Sequence, residues 1–487
     1  MLEIELKFQI APSRHNAIAK ALEHKSAENI QLQAKYYDTA DRRLAAHGIA
    51  LRQRRENECW VQTLKAAGQS HLHRFEHNID LGQDTPESVE LEHYRNDTEA
   101  AQVLTPALGN LGDTTELCLQ FETDIQRTAR LIEFEDAVIE LSLDIGEIRA
   151  AGRVQPVYEL EMELKQGELS SLLKFSFEWV KKYQLWLDVR SKAEFGNLLM
   201  RDCAVSPATQ AKEFQFNKKD SADANLRQLV ANHMQHLLPN IAAIAALVAE
   251  PEHIQQAQIA LHHLQLSLSL FKDWSSAVSA KWSQQLNAFK EHFENLEHFE
   301  HMQATLAALL QNPKTAQSLS QDILYAQEKL NNLVKSTQNV QHYIELLMFS
   351  AAGAEVVQKQ DLKQYAQNTL QQQYKTLQDS LSQVDITDLD SVKQLALHLN
   401  ELKFSFPLLT HIYDVKNLQK YSKALNDAQH AAQQYQVLAA SASYLQETEL
   451  EASDWFALGW LTAKLEQHAE VLMETTEQFL VSRKFIK

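Results

Sequence analysis

The feature that most constrains the fold is a pair of segments in which every second residue is charged. In LEIELKFQ, at residues 2–9, Glu3, Glu5 and Lys7 alternate with apolar residues. YELEMELK, at residues 158–165, repeats the pattern with three glutamates and a lysine. Successive side chains of a strand point to opposite faces, so each segment predicts a strand with one apolar and one acidic face. Two such acidic strands repel one another unless cations lie between them.

Other alternating segments carry basic residues on one face. These residues are Arg52 and Arg54 in ALRQR, Lys65 in VQTLK, Arg74 in HRFEHN and Arg127 in FETDIQR. Each segment taken alone also suits a surface strand whose polar face meets water. Taken together, strands that are each charged on one face favour an antiparallel sheet closed into a barrel with the charges inside.

The chain changes character near residue 205. Strands are expected near 2–9, 34–40, 48–55, 58–66, 73–81, 117–130, 132–135, 137–148 and 154–165, and helices near 12–24, 168–184 and 192–201. After Ala204, turn residues become rare and apolar residues recur three and four apart, which predicts an all-helical region. We therefore predict an α+β chain with a barrel domain over 1–203, a linker over 204–224 and an all-α helical-bundle domain over 225–487.

Composition narrows the class of protein. A formal net charge of −18 over 487 residues argues against a general binder of nucleic acid or of anionic membranes. No apolar run has the length of a membrane span, and the N-terminus lacks a signal-peptide pattern, so a cytoplasmic protein is expected. Cys59, Cys118 and Cys203 lie far apart without metal-ligand spacing, and free thiols are expected.

The charges of the proposed lumen also predict a chemistry. Clustered carboxylates suit a divalent cation such as Mg²⁺ or Mn²⁺, which shares its remaining positions with phosphate oxygens. Arginine and lysine side chains suit a compact polyanion. Acids for a metal and bases for a phosphate chain in one lumen indicate metal-assisted phosphoryl transfer.

The ordered motifs EIELK, YYDT, ALRQR, TLK, FETDIQR, ELEMELK and SKAEFG resemble the CYTH family of triphosphate tunnel metalloenzymes over roughly residues 1–200. The resemblance implies an eight-stranded antiparallel β-tunnel. Matched by position, the implied metal ligands are Glu3, Glu5, Glu161, Glu163 and Asp144, and the implied phosphate-binding residues are Lys7, Arg52, Arg54, Lys65, Arg74, Arg127 and Lys192. Glu5, Glu163 and Lys7 are the implied catalytic residues, with Glu76, Glu140 and Glu159 as second choices.

Several of these residues also have a plain structural interpretation. Arg52 and Arg54 suit a solvated strand face, and Lys192 suits the start of a helix. Tyr36 is more often a cross-strand packing residue than a ligand. The repeated Glu-x-Glu strands are the hardest to explain structurally, because their charges require something between them.

The helical half contains an internal similarity. The segment 261–271 resembles 399–409, and 286–306 resembles 418–438 in the same order, which predicts two repeated helical units. A helical domain after a CYTH domain resembles the CHAD family, whose histidines and bases have been associated with phosphate polymers or metal.

This half departs from the CHAD pattern in its charge. Arg227 and Arg483 are its arginines, and the departure argues against polyphosphate binding by this domain. Histidines 262 and 263, or 292, 298 and 301, are alternative metal ligands, although scattered surface histidines are the favoured interpretation.

The sequence thus predicts a metal-dependent hydrolase of inorganic triphosphate using Mg²⁺ or Mn²⁺. Inorganic triphosphate comes first because the lining offers no evident site for a nucleobase. The alternatives are a nucleoside or thiamine triphosphatase, an adenylyl cyclase, and a non-catalytic scaffold that binds phosphate polymers. The oligomeric state, the preferred metal and the task of the helical domain are left open.

Overall fold

The structure is a computed structural model that describes residues 2–68, 71–86, 88–109, 116–310, 312–354, 361–413, 418–448, 450–452 and 454–482. Its strands are β1 (Leu2–Gln9), β2 (Glu28–Asp38), β3 (Ile49–Glu56), β4 (Cys59–Ala67), β5 (His73–Gly82), β6 (Cys118–Phe134), β7 (Ala137–Ala150), β8 (Arg153–Gln166) and β9 (Trp186–Leu187). Its α-helices are α1 (His15–Leu22), α2 (Arg43–Ala46), α3 (Glu92–Arg95), α4 (Thr98–Leu108), α5 (Leu169–Tyr183), α6 (Lys192–Arg201), α7 (Ala222–Ala245), α8 (Pro251–Leu270), α9 (Ala280–Leu306), α10 (Pro313–Leu333), α11 (Thr337–Ala351), α12 (Leu362–Gln383), α13 (Leu389–Tyr413), α14 (Leu418–Glu447) and α15 (Asp454–Ser482).

The first eight strands form a closed antiparallel barrel. Their order is β5-β4-β3-β2-β6-β7-β8-β1, and β1 returns to β5 through the pairs Leu2↔Phe75 and Ile4↔His73. The short strand β9 pairs with β1 beside this closure. The predicted eight-stranded barrel followed by an all-helical region is confirmed.

The apolar faces of the strands pack against helices outside the barrel. Leu51 of β3 and Leu64 of β4 lie in one buried cluster with Leu104 of α4. On another side, Ser176 of α5 donates a hydrogen bond to the sulfur of buried Met162 in β8, at 3.3 Å. Because strand residues alternate, the charged residues of the same strands face the lumen.

Helix α6 closes one end of the lumen. Phe195 and Leu199 of α6 pack against a buried cluster that includes Tyr36, Phe121 and Ile148, which lie on the lumen face of β2, β6 and β7. Close packing here depends on glycine, because a Cβ atom at Gly196 would overlap the Phe121 ring.

Several elements differ from the sequence expectation. The two strands expected at 117–130 and 132–135 are one strand, β6, and β2 begins at Glu28 rather than near residue 34. The helix expected at 12–24 is a short 3₁₀ turn, Pro12–Arg14, followed by α1. Helices α2, α3 and α4 and strand β9 were not predicted.

The chain forms two compact units. One contains Met1–Ala211, Met234–Ala257 and Asn332–Ala352, and in it α11 braces α5 through a hydrogen bond from Gln341 Nε2 to the Phe177 carbonyl, at 3.3 Å. The other contains Lys212–His233, Gln258–Asn331 and Gly353–Lys487. The boundaries predicted at 203 and 224 stay a prediction, as does the internal repeat.

The helical unit has its own apolar core. The rings of Tyr374 in α12 and Phe479 in α15 stack with centroids 5.3 Å apart, and Tyr435 of α14 is fully buried. Among the helices that the structure describes, none has the length and apolarity to cross a membrane. The three cysteines are free thiols, as predicted.

The docking of α6 is expected to be sensitive to one methyl group. Gly196→Ala places a Cβ against the buried Phe121 ring, and such overpacking costs about 1–3 kcal/mol. Scanning calorimetry of the full chain should then show a lower melting temperature, by about 2–4 °C for each kcal/mol of unfolding free energy that is lost.

Gly459→Ala is the matched control, because Gly459 is an exposed helical glycine with open space around its Cβ position. It should leave the transitions unchanged or raise one through helix propensity. Equal behaviour of the two variants would contradict the packing of α6 inside the barrel.

Candidate active site

One continuous face of the barrel carries the predicted site residues. The register places Glu3 of β1 opposite Arg74 of β5, and Glu5 opposite Glu163 of β8. Further around the ring, Arg127 of β6 is opposite Asp144 of β7. Directly opposed residues share a face, so residues from distant parts of the sequence line one surface.

That surface is the inside of the barrel, because ion pairs cross from one strand to the next but one. Lys65 of β4 reaches Glu3 of β1 at 2.6 Å, passing over β5. Arg127 of β6 reaches Glu161 of β8, passing over β7. Such contacts form on the concave side of a curved sheet, where alternate strands approach each other.

The lining divides into an acidic and a basic wall. The acidic wall lies on the neighbouring strands β7, β8 and β1 and contains Glu140, Asp144, Glu159, Glu161, Glu163, Glu3 and Glu5. The basic wall lies on β5, β4, β3 and β6 and contains Arg74, Lys65, Arg52, Arg54 and Arg127. Each wall also contains residues of the other charge, because Lys7 and Lys165 lie on the acidic side and Glu76 lies on the basic side.

The most buried charges lie near α6. Lys192, the first residue of α6, bonds to Asp144 at 2.7 Å, to Glu161 at 2.8 Å and to Glu159. Arg127 makes a bidentate pair with Asp144, both distances being 2.7 Å. Together with Lys7, which pairs with Glu159 at 3.2 Å, three cations thus compensate three acids at the closed end of the lumen.

These contacts shift the pKa values of the partners. Burial by itself raises the pKa of Asp144 and Glu161, but Lys192 and Arg127 outweigh it and hold both pKa values below the ordinary range. Burial likewise opposes the charge of Lys192, yet Asp144, Glu159 and Glu161 raise the lysine pKa well above its usual value. Asp144, Glu161 and Lys192 are therefore charged at neutral pH.

The same three acids fit a divalent metal. One carboxylate oxygen from each of Asp144, Glu159 and Glu161 lies within 4.8 Å of the others, and oxygen donors of this kind suit Mg²⁺ or Mn²⁺. Within the described ranges, no other group of three His, Cys, Asp or Glu side chains brings ligand atoms so close. Asp144 and Glu161 were predicted metal ligands, and Glu159 was a second choice.

The other predicted metal ligands are paired with basic side chains. Glu5 pairs with Arg74 at 2.6 Å, and Glu163 pairs with Lys165 at 2.7 Å. Glu3 pairs with Lys65. These three acids lie toward the opposite end of the lumen from α6.

Exposure falls from one end of the lumen to the other. The Lys165 side chain is 36% exposed and that of Lys65 is 21% exposed. Near α6, the exposure is 4% for Lys7, 2% for Glu159 and none for Asp144. Lys65 and Lys165 therefore mark the more open end of the lumen, although Arg127 and Glu161 near α6 are also partly exposed.

At the open end, Glu3 and Glu76 form a pair that shares a proton. Burial and the nearby charges of Glu5 and Glu76 raise the pKa of Glu3 to about 8, although Lys65 opposes this. Burial also acts to raise the pKa of Glu76, but Lys65, a hydrogen bond from Glu3 and Arg52 lower it to about 2. The two carboxyl groups therefore titrate as a pair in which a proton is held more firmly on Glu3 than on Glu76.

The arginines of β3 lie in the same lumen. Arg52 donates a hydrogen bond from Nη1 to the Tyr36 hydroxyl at 3.1 Å, while its buried Nε has no hydrogen-bond partner among the described residues. Arg54 pairs with Glu56. Burial and the proximity of Arg52 lower the pKa of Arg54, which indicates a local excess of positive charge suited to an anion.

Tyr36 therefore lines the lumen rather than only packing across strands. Burial raises its pKa, but Arg52 outweighs that effect and leaves the phenol pKa below its ordinary value.

Sequence reasoning missed a buried pair beside Lys7. Lys7 pairs with Glu159 at 3.2 Å and donates a hydrogen bond to the carbonyl of Arg190. Arg190 is itself paired with buried Asp188 at 2.9 Å. The charged residues Asp188, Arg190 and Lys192 alternate in LDVRSK, and this alternation is the sequence signal for the pair. The run is too short to predict a strand, so the sequence does not indicate which way these side chains face.

The histidines of the helical unit form a different environment. The His262 ring stacks on Phe404 with centroids 4.0 Å apart, and burial, Lys290, His263 and Lys403 lower its pKa to about 3. His262 is thus a neutral, half-buried packing residue. The alternative histidine metal sites find no support among the described residues.

The Glu3 and Glu76 pair predicts a pH dependence of stability. Between the ordinary pKa of 4.5 and the folded value of about 8, Glu3 holds a proton in the folded chain that it lacks in the unfolded chain. Its contribution to the free energy of unfolding therefore falls as pH rises through this window, by at most about 1.4 kcal/mol per pH unit. Glu76 acts oppositely between pH about 2 and 4.5, where its contribution rises with pH.

Glu3→Gln should remove the fall in unfolding free energy above pH 4.5, as measured by urea unfolding from pH 5 to 8. Glu147→Gln, which removes a negative charge from the outer face of the barrel beside Arg149, is the control. An unchanged slope in Glu3→Gln would contradict the shared proton.

Comparisons with known proteins agree with the barrel. The family model of the CYTH domain matches residues 1–194. Inorganic triphosphatase of Haemophilus influenzae is 34% identical over 208 residues, which are 40% of this chain and 54% of that protein. The chain thus matches about half the length of this curated relative.

Two solved structures are also similar. The CHAD domain of Ricinus communis has 14% identity and a TM-score of 0.46, covering 57% of this chain and 97% of that domain. A Hippeastrum protein described as an adenylyl cyclase candidate with a dominant triphosphatase activity has 20% identity and a TM-score of 0.30, covering 42% and 98%. Residues 1–194 therefore match the CYTH domain model and contain the closed eight-stranded barrel.

Proposed function

We propose that the barrel lumen hydrolyses inorganic triphosphate to pyrophosphate and phosphate with a divalent metal ion. The observation that carries this proposal is the division of one buried lumen into an acidic and a basic wall. A metal triphosphate complex needs both: carboxylates for the cation and guanidinium or ammonium groups for the phosphates. The similarity of this chain to an inorganic triphosphatase, at 34% identity over 208 residues, supports the same assignment.

The basic wall would bind the phosphate chain. Arg52, Arg54, Lys65, Arg74 and Arg127 are the proposed ligands, and all except Arg52 pair with carboxylates in the structure. Phosphate oxygens would replace these carboxylates as hydrogen-bond acceptors. The unpartnered Nε of Arg52 is a donor already available to such an oxygen.

Asp144, Glu159 and Glu161 would hold the metal. Mg²⁺ or Mn²⁺ bound there polarises phosphoryl oxygens and offsets the negative charge of the substrate. Lys192, now bonded to all three acids, would then turn to the phosphate oxygens.

The chemical step transfers the terminal phosphoryl group to water. The water oxygen forms a bond to the terminal phosphorus as the bridging P–O bond breaks, and pyrophosphate leaves. We assign the water proton to Glu163, because burial and then Glu140 raise its pKa despite Lys165, which makes it a better base than an exposed glutamate. Glu5 lies opposite Glu163 and is held by Arg74, while Lys7 is placed to stabilise charge deeper in the lumen.

The test is phosphate release from inorganic triphosphate, ATP, thiamine triphosphate and long-chain polyphosphate, each with Mg²⁺ or Mn²⁺ and with EDTA. We expect metal-dependent release that is fastest with inorganic triphosphate. Cyclic nucleotide and pyrophosphate from ATP would instead indicate a cyclase. Tight triphosphate binding in calorimetry without any release would replace the enzyme with a non-catalytic receptor.

Glu161→Gln should separate chemistry from folding. The substitution keeps the side-chain volume but removes a metal ligand and a partner of Lys192, so we expect turnover to fall by about 10²–10³-fold. Mn²⁺ binding, followed by calorimetry, should weaken by at least about tenfold. Glu147→Gln on the outer face is the control and should retain both properties. Full turnover in Glu161→Gln with an unchanged melting temperature would refute the metal assignment.

A further inference from the structure

The first turn of α6 is bonded on the side that faces away from the lumen. Ser191 caps the helix, its Oγ accepting from the Glu194 backbone N–H at 3.1 Å. In an ordinary capping box, the glutamate at this third position bonds back to the backbone of the cap. Here Glu194 Oε1 instead accepts a hydrogen bond from Ser206 Oγ at 2.6 Å. The turn that carries Lys192 is therefore joined to the segment after α6.

Ser206 is held in turn by a buried histidine of α8. The His253 ring is 2% exposed, and its Nε2 lies 2.9 Å from the Ser206 carbonyl oxygen. Its Nδ1 accepts from the Glu250 backbone N–H at 3.1 Å. Because Nδ1 is an acceptor, the proton of a neutral ring lies on Nε2, which then donates to Ser206.

A second clamp fixes the same segment. The fully buried Asn240 of α7 accepts from the Thr209 N–H at 3.1 Å and donates to the Thr209 carbonyl at 3.0 Å. Asn240, His253 and Ser206 all belong to the compact unit that contains the barrel. Ser206 therefore stands on a rigid support rather than on a freely moving strand of chain.

We propose that Ser206 and His253 are positioning residues for Lys192, acting through Glu194. This inference rests on the proposed function, in which Lys192 reaches the substrate. Lysine has a flexible stem, and the first turn of a helix is its least secure part. Bonding Glu194 to Ser206 keeps that turn closed and keeps the Lys192 ammonium among Asp144, Glu159 and Glu161.

A merely structural role for these bonds has a different consequence. If Ser206 only strengthened the fold, Ser206→Ala would lower the melting temperature and its effect would add to that of Lys192→Ala. If it acts through Lys192, its effect on kcat/KM disappears once Lys192 is already alanine, because residues that act through one group are not additive.

The experiment is a double-mutant cycle in the full chain with inorganic triphosphate and Mg²⁺ or Mn²⁺. Ser206→Ala should lower kcat/KM by about tenfold or more, mainly through KM, because the cation is less well oriented. In the Lys192→Ala background it should have no further effect. Ser206→Thr, which keeps the hydroxyl, should restore the wild-type value.

The control is Gln210→Ala. Gln210 bonds to Glu252 of α8 at 2.7 Å, so this variant removes a side-chain hydrogen bond from the same segment without touching Ser206 or α6. It should keep the wild-type kcat/KM. Amide hydrogen exchange should be faster in the first turn of α6 for Ser206→Ala alone, which reports the opening independently of activity.

Three outcomes are informative. A wild-type protein that neither binds nor hydrolyses triphosphate overturns the proposed function itself. An active wild type with an equally active Ser206→Ala overturns the positioning role. Equal losses for Ser206→Ala in the wild-type and Lys192→Ala backgrounds assign these bonds to stability alone, which also overturns it.

Discussion

Compensation of buried charge is the constraint on which the barrel depends. Moving a carboxylate out of water costs several kcal/mol unless a cation and hydrogen bonds replace the lost solvent. Asp144 and Glu159 are almost completely buried, so they require Lys192, Arg127 and Lys7 in the lumen. Closure of the barrel brings these groups from different strands to one place. The fold and its charge pattern are therefore not separable properties.

The same constraint explains how the lumen suits its proposed substrate. A charged ligand binds most tightly to groups that are already removed from water and held in position. Groups that must reorganise during binding cost free energy and weaken the complex. Here the acids and bases of the lumen satisfy each other. In the proposed function, a metal and a triphosphate would bring in the same pair of opposite charges, so carboxylates and cations would exchange partners while the walls stay in place.

Much of this arrangement can be predicted from the sequence, because alternate side chains of a strand lie on the same face. The alternation in β1 and β8 predicts which side chains share a face, and the barrel follows from the need to neutralise them. Helix α4 was missed because Pro106 lies inside it and suggests a break, although Asp97 is a good N-cap whose side chain accepts from Ala100 N–H. Strand β6 was divided because its end, residues 131–134, lacks clear alternation.

The sequence predicts which residues line the lumen better than it predicts which of these residues contact each other. Alternation places Glu159, Glu161 and Glu163 on one face but does not indicate which two lie beside Asp144. That choice depends on the stagger of the strands and on contacts that pass over a neighbouring strand, such as Arg127 with Glu161. Lys192 is harder still, since it enters the lumen on a helix.

The position of α6 gives the helical segments a physical connection to the barrel chemistry. The helices contain few arginines, and the histidine at 262 is kept neutral by its surroundings. Helices α7 and α8 nevertheless supply Asn240 and His253, which hold the segment that bonds to α6. These helices can therefore contribute to the lumen through the geometry that their buried amide and imidazole groups impose, without placing a basic residue in it.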